Sequence, residues 1–378
     1  YKGKLRKNVL ESMAYVARSH GYNTAALHNH RALFYNRNEV YANLGFNTFT
    51  SVEYMNNVVF TPTNWCKDKI LTGEIMEIMG STEERDFLHV ISVEGHGAYP
   101  TERVFKNPYT EVTAEDEDTK WRYEYYLNEC HEMDTFVGDL IDAIEESGEP
   151  TIMIIYGDHI PALDVKEENY KQDDLYTTRY VIWDNIGLAK KDRDIHSYES
   201  GAILLADAGL GHEGIIFDYQ QSNDPEDGDT YLSDQEALAY DMLYGKRYAY
   251  GGIDPYEPTD MQMGHKNIKI KDIVKIGDRY YIRGENFTER SIISKGNKQL
   301  STVYLSPTLL ALNVLAVLAF VAAGLLLFAI KSKRSWKFIA VVVGSFVAAN
   351  VLLRGFYPEL VQRYIVVPNE FEKEKVYI

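Results

Sequence analysis

The stretch Thr151-Ile152-Met153-Ile154-Ile155-Tyr156-Gly157-Asp158-His159 decides the fold. Its first six residues carry no charge and are rich in β-branched side chains. That is the continuous apolar run a central parallel strand needs, because helices cover both of its faces. Gly157 then allows a sharp turn at the sheet rim, where an acid and an imidazole follow. A second run, Phe87-Leu88-His89-Val90-Ile91-Ser92-Val93, reads as another buried strand and leads into Glu94-Gly95-His96-Gly97. Between the two, residues 120–147 read as a long helix. Upstream, Leu5, Val9, Leu10, Met13, Val16 and Ala17 form a helical stripe. A short strand over Thr24–Leu27, a helix over 38–44, the segment Phe46–Phe49 and a helix over 68–79 come after it. Downstream, Arg179–Trp183 is a strand candidate and Ser200–Ala208 a helix. Strand and helix in alternation predict an α/β fold, a mostly parallel sheet sandwiched by helices.

The chain has 378 residues, enough for two or three domains. Residues 1–221 carry the α/β pattern, and 222–266 read as a linker with a short helix, opened by the acidic turn cluster Asn223–Asp229. Residues 267–307 read as a small β-rich module with strands over Ile268–Val274, Arg279–Ile282, Ser291–Ile293 and Thr302–Leu305. Leu309–Ile330 is an apolar run of 22 residues whose strongly polar member is Asn313, long enough at about 1.5 Å per residue to cross a bilayer. Lys331–Lys337 carries four positive charges, and a second apolar run extends from Phe338 to Leu353, so 308–357 read as two transmembrane helices before a tail, 358–378. The positive-inside rule puts the basic loop in the cytoplasm and the large N-terminal portion outside. Formal charge is −17, from 39 basic and 56 acidic residues; a field of that sign repels phosphate backbones, and no nucleic acid is expected as a partner. Two cysteines, Cys66 and Cys130, are too few for a disulfide framework and lack zinc spacing.

Reactive side chains of open α/β sheets collect beyond the carboxyl ends of strands. Asp158 and His159 offer a hard oxygen and an imidazole nitrogen, a pairing suited to Zn²⁺ or Mn²⁺; the alternative is a turn-capping acid beside a surface histidine. His28 comes directly after a strand, with His30 and Arg31 near it and Arg37 opening the next helix. A guanidinium and an imidazole on one rim suit an anionic ester, since the guanidinium fork matches phosphate or sulfate oxygens. Arg37 opposes the helix dipole there unless it has an anionic partner; the alternative is a surface pair with Glu39 or another carboxylate. His131 and His89 read as structural.

The segment His28-Asn29-His30-Arg31-Ala32-Leu33-Phe34-Tyr35-Asn36-Arg37, with Tyr41 and Leu44-Gly45-Phe46 after it, resembles the corresponding part of lipoteichoic acid synthase-like proteins, in the sulfatase/alkaline phosphatase superfamily. Ser92-Val93-Glu94-Gly95-His96 and Tyr156-Gly157-Asp158-His159 come in the same order. The resemblance covers roughly residues 1–220 and implies an alkaline phosphatase-like fold. It further implies Asp158 and His159 as ligands of a divalent metal, Mn²⁺ first and Zn²⁺ or Mg²⁺ otherwise, with His28, Arg37 and His96 on the phosphoglycerol head group. In that family a metal-activated threonine takes glycerol phosphate from phosphatidylglycerol and passes it to a growing polymer outside the bacterial membrane. That nucleophile and the remaining metal-binding acid are expected upstream of Tyr1. Glu94-Gly95 stands where the family usually has an asparagine before His96.

Gly284-Glu285-Asn286-Phe287-Thr288 resembles immunoglobulin-like repeats appended to some clostridial members. The tail, Tyr357–Tyr364 and Val367–Glu370, resembles an uncharacterised family of bacterial multi-pass membrane proteins, the pattern of a fusion or a misjoined gene. The expected partners are therefore an anionic phospholipid, a polymer acceptor and the membrane. Two other readings compete: a sulfatase or phosphodiesterase passing its ester to water, and a catalytically incomplete membrane-tethered binding protein.

Overall fold

A computed structural model describes residues 3–164, 175–225, 228–277, 279–296 and 298–312, in two units, residues 1–265 and 266–378. The first unit is built on β1 (Asn23–His28), which comes after helix α1 (Met13–Ser19). Ala25, Ala26 and Leu27 are all at most 1% exposed, so both faces of this strand are covered. Alternation divides them. Ala25 and Leu27 pack with Leu71, Ile75 and Ile78, while Ala26 packs with Ala14, Tyr41, Phe46 and Phe49 on the opposite face. Tyr41 belongs to α2 (Arg37–Asn43) and Phe49 to β2 (Thr48–Ser51). Leu71, Ile75 and Ile78 are one stripe of α3 (Ile70–Met79), which precedes β3 (Asp86–Ile91).

The long helix α4 (Glu117–Ser147) starts where the Asp116 carboxylate accepts from the Thr119 amide at 2.8 Å and stops at Gly148, whose φ of 73° is the left-handed value glycine adopts freely. Its Phe136, Leu140 and Ile144, spaced by four, complete the core shared with α3. Next along the chain are β4 (Ile152–Tyr156), β5 (Tyr180–Asp184), α5 (Ser200–Asp207), α6 (Ile215–Ser222), α7 (Asp229–Leu243) and the two-residue strand β6 (Gln262–Met263). The main sheet runs β3-β1-β2-β6, and every pairing in it is parallel.

Four expectations differ from what the chain adopts. The run 151–156 does form a strand, but among the described residues β4 pairs with β5, antiparallel, from Ile152↔Asp184 to Tyr156↔Tyr180. Ile152–Ile155 are half-buried and Tyr156 is exposed, so an apolar run marks burial without naming the partner or its direction. The segment 222–266 is more than a linker: the Tyr15 and Tyr256 rings stack at 4.0 Å, Thr259 N–H donates to Ala42 O at 3.0 Å, and β6 extends the sheet. Leu309–Leu312, read as the start of a membrane helix, is a strand of the second unit.

That unit is an antiparallel sheet of β7 (Lys269–Ile276), β8 (Arg279–Glu285), β11 (Thr302–Ser306) and β12 (Leu309–Leu312), in the order β11-β12-β8-β7; β9 (Ser294–Lys295) and β10 (Lys298–Gln299) form a separate pair. The expected strand over Ser291–Ile293 is instead the approach to β9, with Ile293 buried. Leu310, fully buried against Ile282, Phe287 and Ile293, satisfies its apolarity in a sheet core as well as it would in lipid. Residues 313–378, which carry the rest of both expected spans and the tail, lie outside the described residues. Among the described residues no helix is long and apolar enough to cross a membrane.

Candidate active site

β1 and β3 run parallel and end side by side, His28 opposite Ile91, so the loops leaving the two strands emerge on one rim. His28 is 3% exposed, and its Nδ1 lies 2.7 Å from the Ile91 carbonyl oxygen. A carbonyl only accepts, so Nδ1 carries the proton and Nε2 presents a lone pair. Burial, aided by the nearby positive charge of Arg37, pushes this imidazole down to about 3 and keeps it neutral.

A run of rings leads outward from His28. Its ring centroid is 5.8 Å from that of His30, which lies 5.4 Å from Trp65; Trp65 is 4.5 Å from His96, and His96 is 6.4 Å from His159. His96 and His159 repeat the tautomer logic of His28, each with Nδ1 against a neighbouring backbone carbonyl, Gly97 at 2.7 Å and Ile160 at 2.9 Å. His159 Nε2 is thereby left facing Asp158 Oδ1 at 3.6 Å, and both side chains are open to solvent. On the other flank His30 packs edge-on against Phe34 at 5.1 Å, and Arg37 stacks over Phe34 and Tyr35 at 5.6 and 5.3 Å. Arg37 is aimed by two consecutive left-handed residues, Tyr35 at φ 58° and Asn36 at φ 55°, a conformation that costs energy outside glycine. Glu39, the expected surface partner of Arg37, is taken by Arg6 in a two-pronged pair.

The structure therefore strings His28, His96, His159 and Arg37 along one rim through Phe34, His30 and Trp65, with Asp158 at its end. Neither the hollow lined by Asn56, Lys69 and Glu77 nor the one lined by His196 and His212 includes any of the five expected site residues. His89 and His131 have aromatic neighbours: His89 lies beside the packed rings of Tyr41 and Phe46, and His131 stacks on Tyr109.

Beneath the rim lies a buried knot that sequence reasoning missed. Asp68 Oδ1 accepts from the Val93 and Glu94 amides at 3.0 and 3.2 Å and from Asn29 Nδ2 at 2.7 Å. Glu94 returns the bond, its Oε2 accepting from the Asp68 amide at 2.6 Å. The two acids thus tie the loop before α3 to the loop that carries His96. Glu129 on α4, with no exposed surface, is a third carboxyl at this place, and Lys67 Nζ lies 3.5 Å from Glu94 Oε1 while also pairing with Glu132. Burial, followed by the proximity of Glu129 and Asp68, pushes the Glu94 carboxyl up to about 9, against the pull of its bond from the Asp68 amide; burial also raises Asp68 and Glu129. Asn29 between His28 and His30 was the one available hint, because an amide directly after a buried strand needs a partner.

Parallel β1 and β3 ending in a rim of histidines and a stacked arginine, with an acid beside a histidine after β4, define an α/β protein built on a parallel sheet. A family model described as Sulfatase matches residues 1–207, more than half of the chain, and the chain belongs to that family. A second model, an uncharacterised protein family (UPF0182), matches residues 302–378, where the tail resemblance fell. Among curated proteins, the chain is 26% identical over 282 residues to the "Putative cyclic beta-1,2-glucan modification protein" of Rhizobium meliloti (strain 1021), covering 64% of this chain and 44% of that protein. It is 25% identical over 156 residues to lipoteichoic acid synthase 2 of Bacillus subtilis (strain 168), covering 40% of this chain and 23% of that one. The chain thus spans less than half the length of these relatives. Among solved structures, the Streptococcus pyogenes phosphoglycerol transferase GacH in complex with sn-glycerol-1-phosphate is 20% identical, with a TM-score of 0.49 over 63% of this chain and 66% of that one. The sulfatase/alkaline phosphatase superfamily is generally divalent-metal dependent. Asp158 Oδ1 and His159 Nε2, an oxygen and a nitrogen donor facing each other in the open, fit two positions of such an ion.

Proposed function

We propose that this chain serves an extracytoplasmic, divalent-metal-dependent phosphoglycerol transferase that acts on phosphatidylglycerol-type lipid in building a lipoteichoic acid-like envelope polymer. The single observation that carries the reading is the rim. His28, His96 and His159 each turn Nε2 away from a backbone carbonyl, in the motif order that resembles lipoteichoic acid synthases. The metal, Mn²⁺ first and Zn²⁺ or Mg²⁺ otherwise, would be held by Asp158 and His159 together with ligands not assigned to this chain. When bound, it supplies a Lewis acid that neutralises charge on phosphoryl oxygens. Arg37 offers its guanidinium fork to the phosphate oxygens. His28, neutral and protonated at Nδ1, cannot donate from Nε2 to a phosphate; it accepts from a hydroxyl of the glycerol. His96 contacts the same head group. The nucleophile is not assigned to any residue here. Membrane association and a polymer acceptor belong to the same reading.

The test is metal content and turnover of the gene product with a fluorescent phosphatidylglycerol. Asp158→Ala is expected to lose the catalytic ion and to drop turnover by at least about a hundredfold. Unchanged metal stoichiometry and turnover in that variant refute the assignment. A second reading, transfer of the ester to water, takes its support from the Sulfatase match. Free glycerol phosphate among the products, with none on an acceptor, would select it.

A further inference from the structure

Away from the rim, α3 carries Glu74 and Glu77, three residues apart and so on one face, and the chain returns directly after β6 to set His265 against them. One donor atom from each of the three lies within 4.8 Å of the others. The His265 side chain is 5% exposed and that of Glu74 13%, whereas Glu77 is half open. His265 Nδ1 stands 3.5 Å from Glu74 Oε2, and Nε2 stands 3.4 Å from Glu77 Oε2.

The Nε2–Glu77 separation bears on two accounts. An imidazolium hydrogen-bonded there would draw the N–H···O distance to about 2.7–3.2 Å. A tetrahedral ion with bonds of about 2.1 Å holds its ligands about 3.4 Å apart. Glu74 stands nearest the other ring nitrogen and joins the ion within the 4.8 Å span of the three donor groups. The ring is also oriented from behind: Thr50 Oγ1, already accepting the His265 backbone N–H at 2.9 Å, lies 3.3 Å from Nδ1. A hydroxyl accepting from Nδ1–H leaves the Nε2 lone pair on the carboxylate side, the support that metal-binding histidines commonly have. Glu74 and Glu77 also line a hollow of about 470 Å³, which provides entry and room for water as a further ligand. Of the two lysines in its wall, Lys67 is engaged by Glu132 and Glu94, which lowers its opposition to a cation, and the charge of Lys69 is set against Asp139 in the same wall.

We propose that Glu74, Glu77 and His265 form a second metal site, separate from the rim, that takes a divalent transition ion of the Zn²⁺ class through two carboxylate oxygens and His265 Nε2. Its effect is structural. β6 is held in the sheet by two register positions, and an ion bridging α3 to the residue just beyond Gly264 closes a loop of nearly two hundred residues.

Zn²⁺ alone is the probe, added to the metal-stripped full chain, with bound metal measured after gel filtration and melting followed by circular dichroism. The paired variant Asp158→Ala/His159→Ala is expected to retain one equivalent and a zinc-dependent rise in melting temperature. Glu74→Gln/Glu77→Gln is expected to lose that equivalent and that rise. Glu77→Gln alone, at a half-exposed position that tolerates change, should weaken zinc binding at least about tenfold while the fold persists. Retention of the same equivalent by both glutamine variants, or no zinc on the Asp158→Ala/His159→Ala protein, overturns the site. Loss of metal only in the Asp158→Ala/His159→Ala variant would uphold the rim assignment and reject this one, so the two fail separately.

Discussion

At the scale of single residues, the decisive group is a carboxyl that keeps its proton. Glu94 is 1% exposed, shares its place with Asp68 and Glu129, and is pushed up to about 9, burial being the first cause. Unfolded, the same side chain ionises near about pH 4.3. Between those two values the unfolded chain releases a proton that the folded chain retains. The fold therefore has this contribution in full below about pH 4 and loses it progressively as pH rises toward 9. Glu94→Gln keeps an oxygen to accept from the Asp68 amide and removes the titration. Thermal unfolding from about pH 5 to 9 should show the parent chain falling and the glutamine variant much flatter, crossing above it by several degrees at about pH 8 to 9, at about 2–4 °C per kcal/mol. A parent curve as flat as the variant's would mean that the knot is ionised or open to water. The same knot bears on the proposed site, because the Glu94 and Asp68 bonds set the loop from which His96 reaches the rim.

At the scale of elements, the sharpest steric statement belongs to β8. A Cβ on Gly284 would collide with the Lys269 carbonyl oxygen of the neighbouring strand and with the Phe287 ring, which is itself fully buried. Backbone cannot withdraw as a flexible side-chain tip can, so Gly284→Ala should cost the β module about 3 kcal/mol or more, read as lower protection of β7 and β8 amides in hydrogen exchange. Protection equal to the parent's would show that the two strands are spaced more widely than here. This glycine lies in the Gly284–Thr288 motif quoted from the sequence, and it illustrates what a chain displays openly. β1, α3 and α4 were readable because their apolar residues recur at strand or helix spacing and that spacing is what buries them. The rim motifs were readable because histidines just beyond apolar runs stand out. The features that stayed hidden have no period. Asp68, Glu94 and Glu129 look like surface acids until loops and a helix meet. Trp65 joins the rim only through packing, β5 is not named by β4, and Leu309–Leu312 is as apolar in a sheet as in a bilayer. His265 lies far along the chain from Glu74 and Glu77, so only the fold brings that trio together.

At the scale of the whole molecule, the proposed substrate and the protein share a sign. The chain carries a formal charge of −17, and a phosphatidylglycerol surface is anionic, so at low ionic strength approach is opposed by a field that reaches about 30 Å at 0.01 M salt and about 8 Å at 0.15 M. The rim contributes one arginine and imidazoles of which His28 is held neutral, too little positive charge to reverse that field at a distance. In the proposed function attraction begins only at close range, through Arg37 and the ion that Asp158 and His159 would hold. For the proposed transferase, KM on phosphatidylglycerol vesicles should therefore fall several-fold as salt rises from about 10 to 150 mM at fixed metal concentration, with kcat nearly constant, since screening acts on encounter and leaves the short-range contacts intact. A KM that rises over the same range would place a strong cationic docking surface in front of the rim, and the head group would then be captured by residues other than His28, Arg37 and His96.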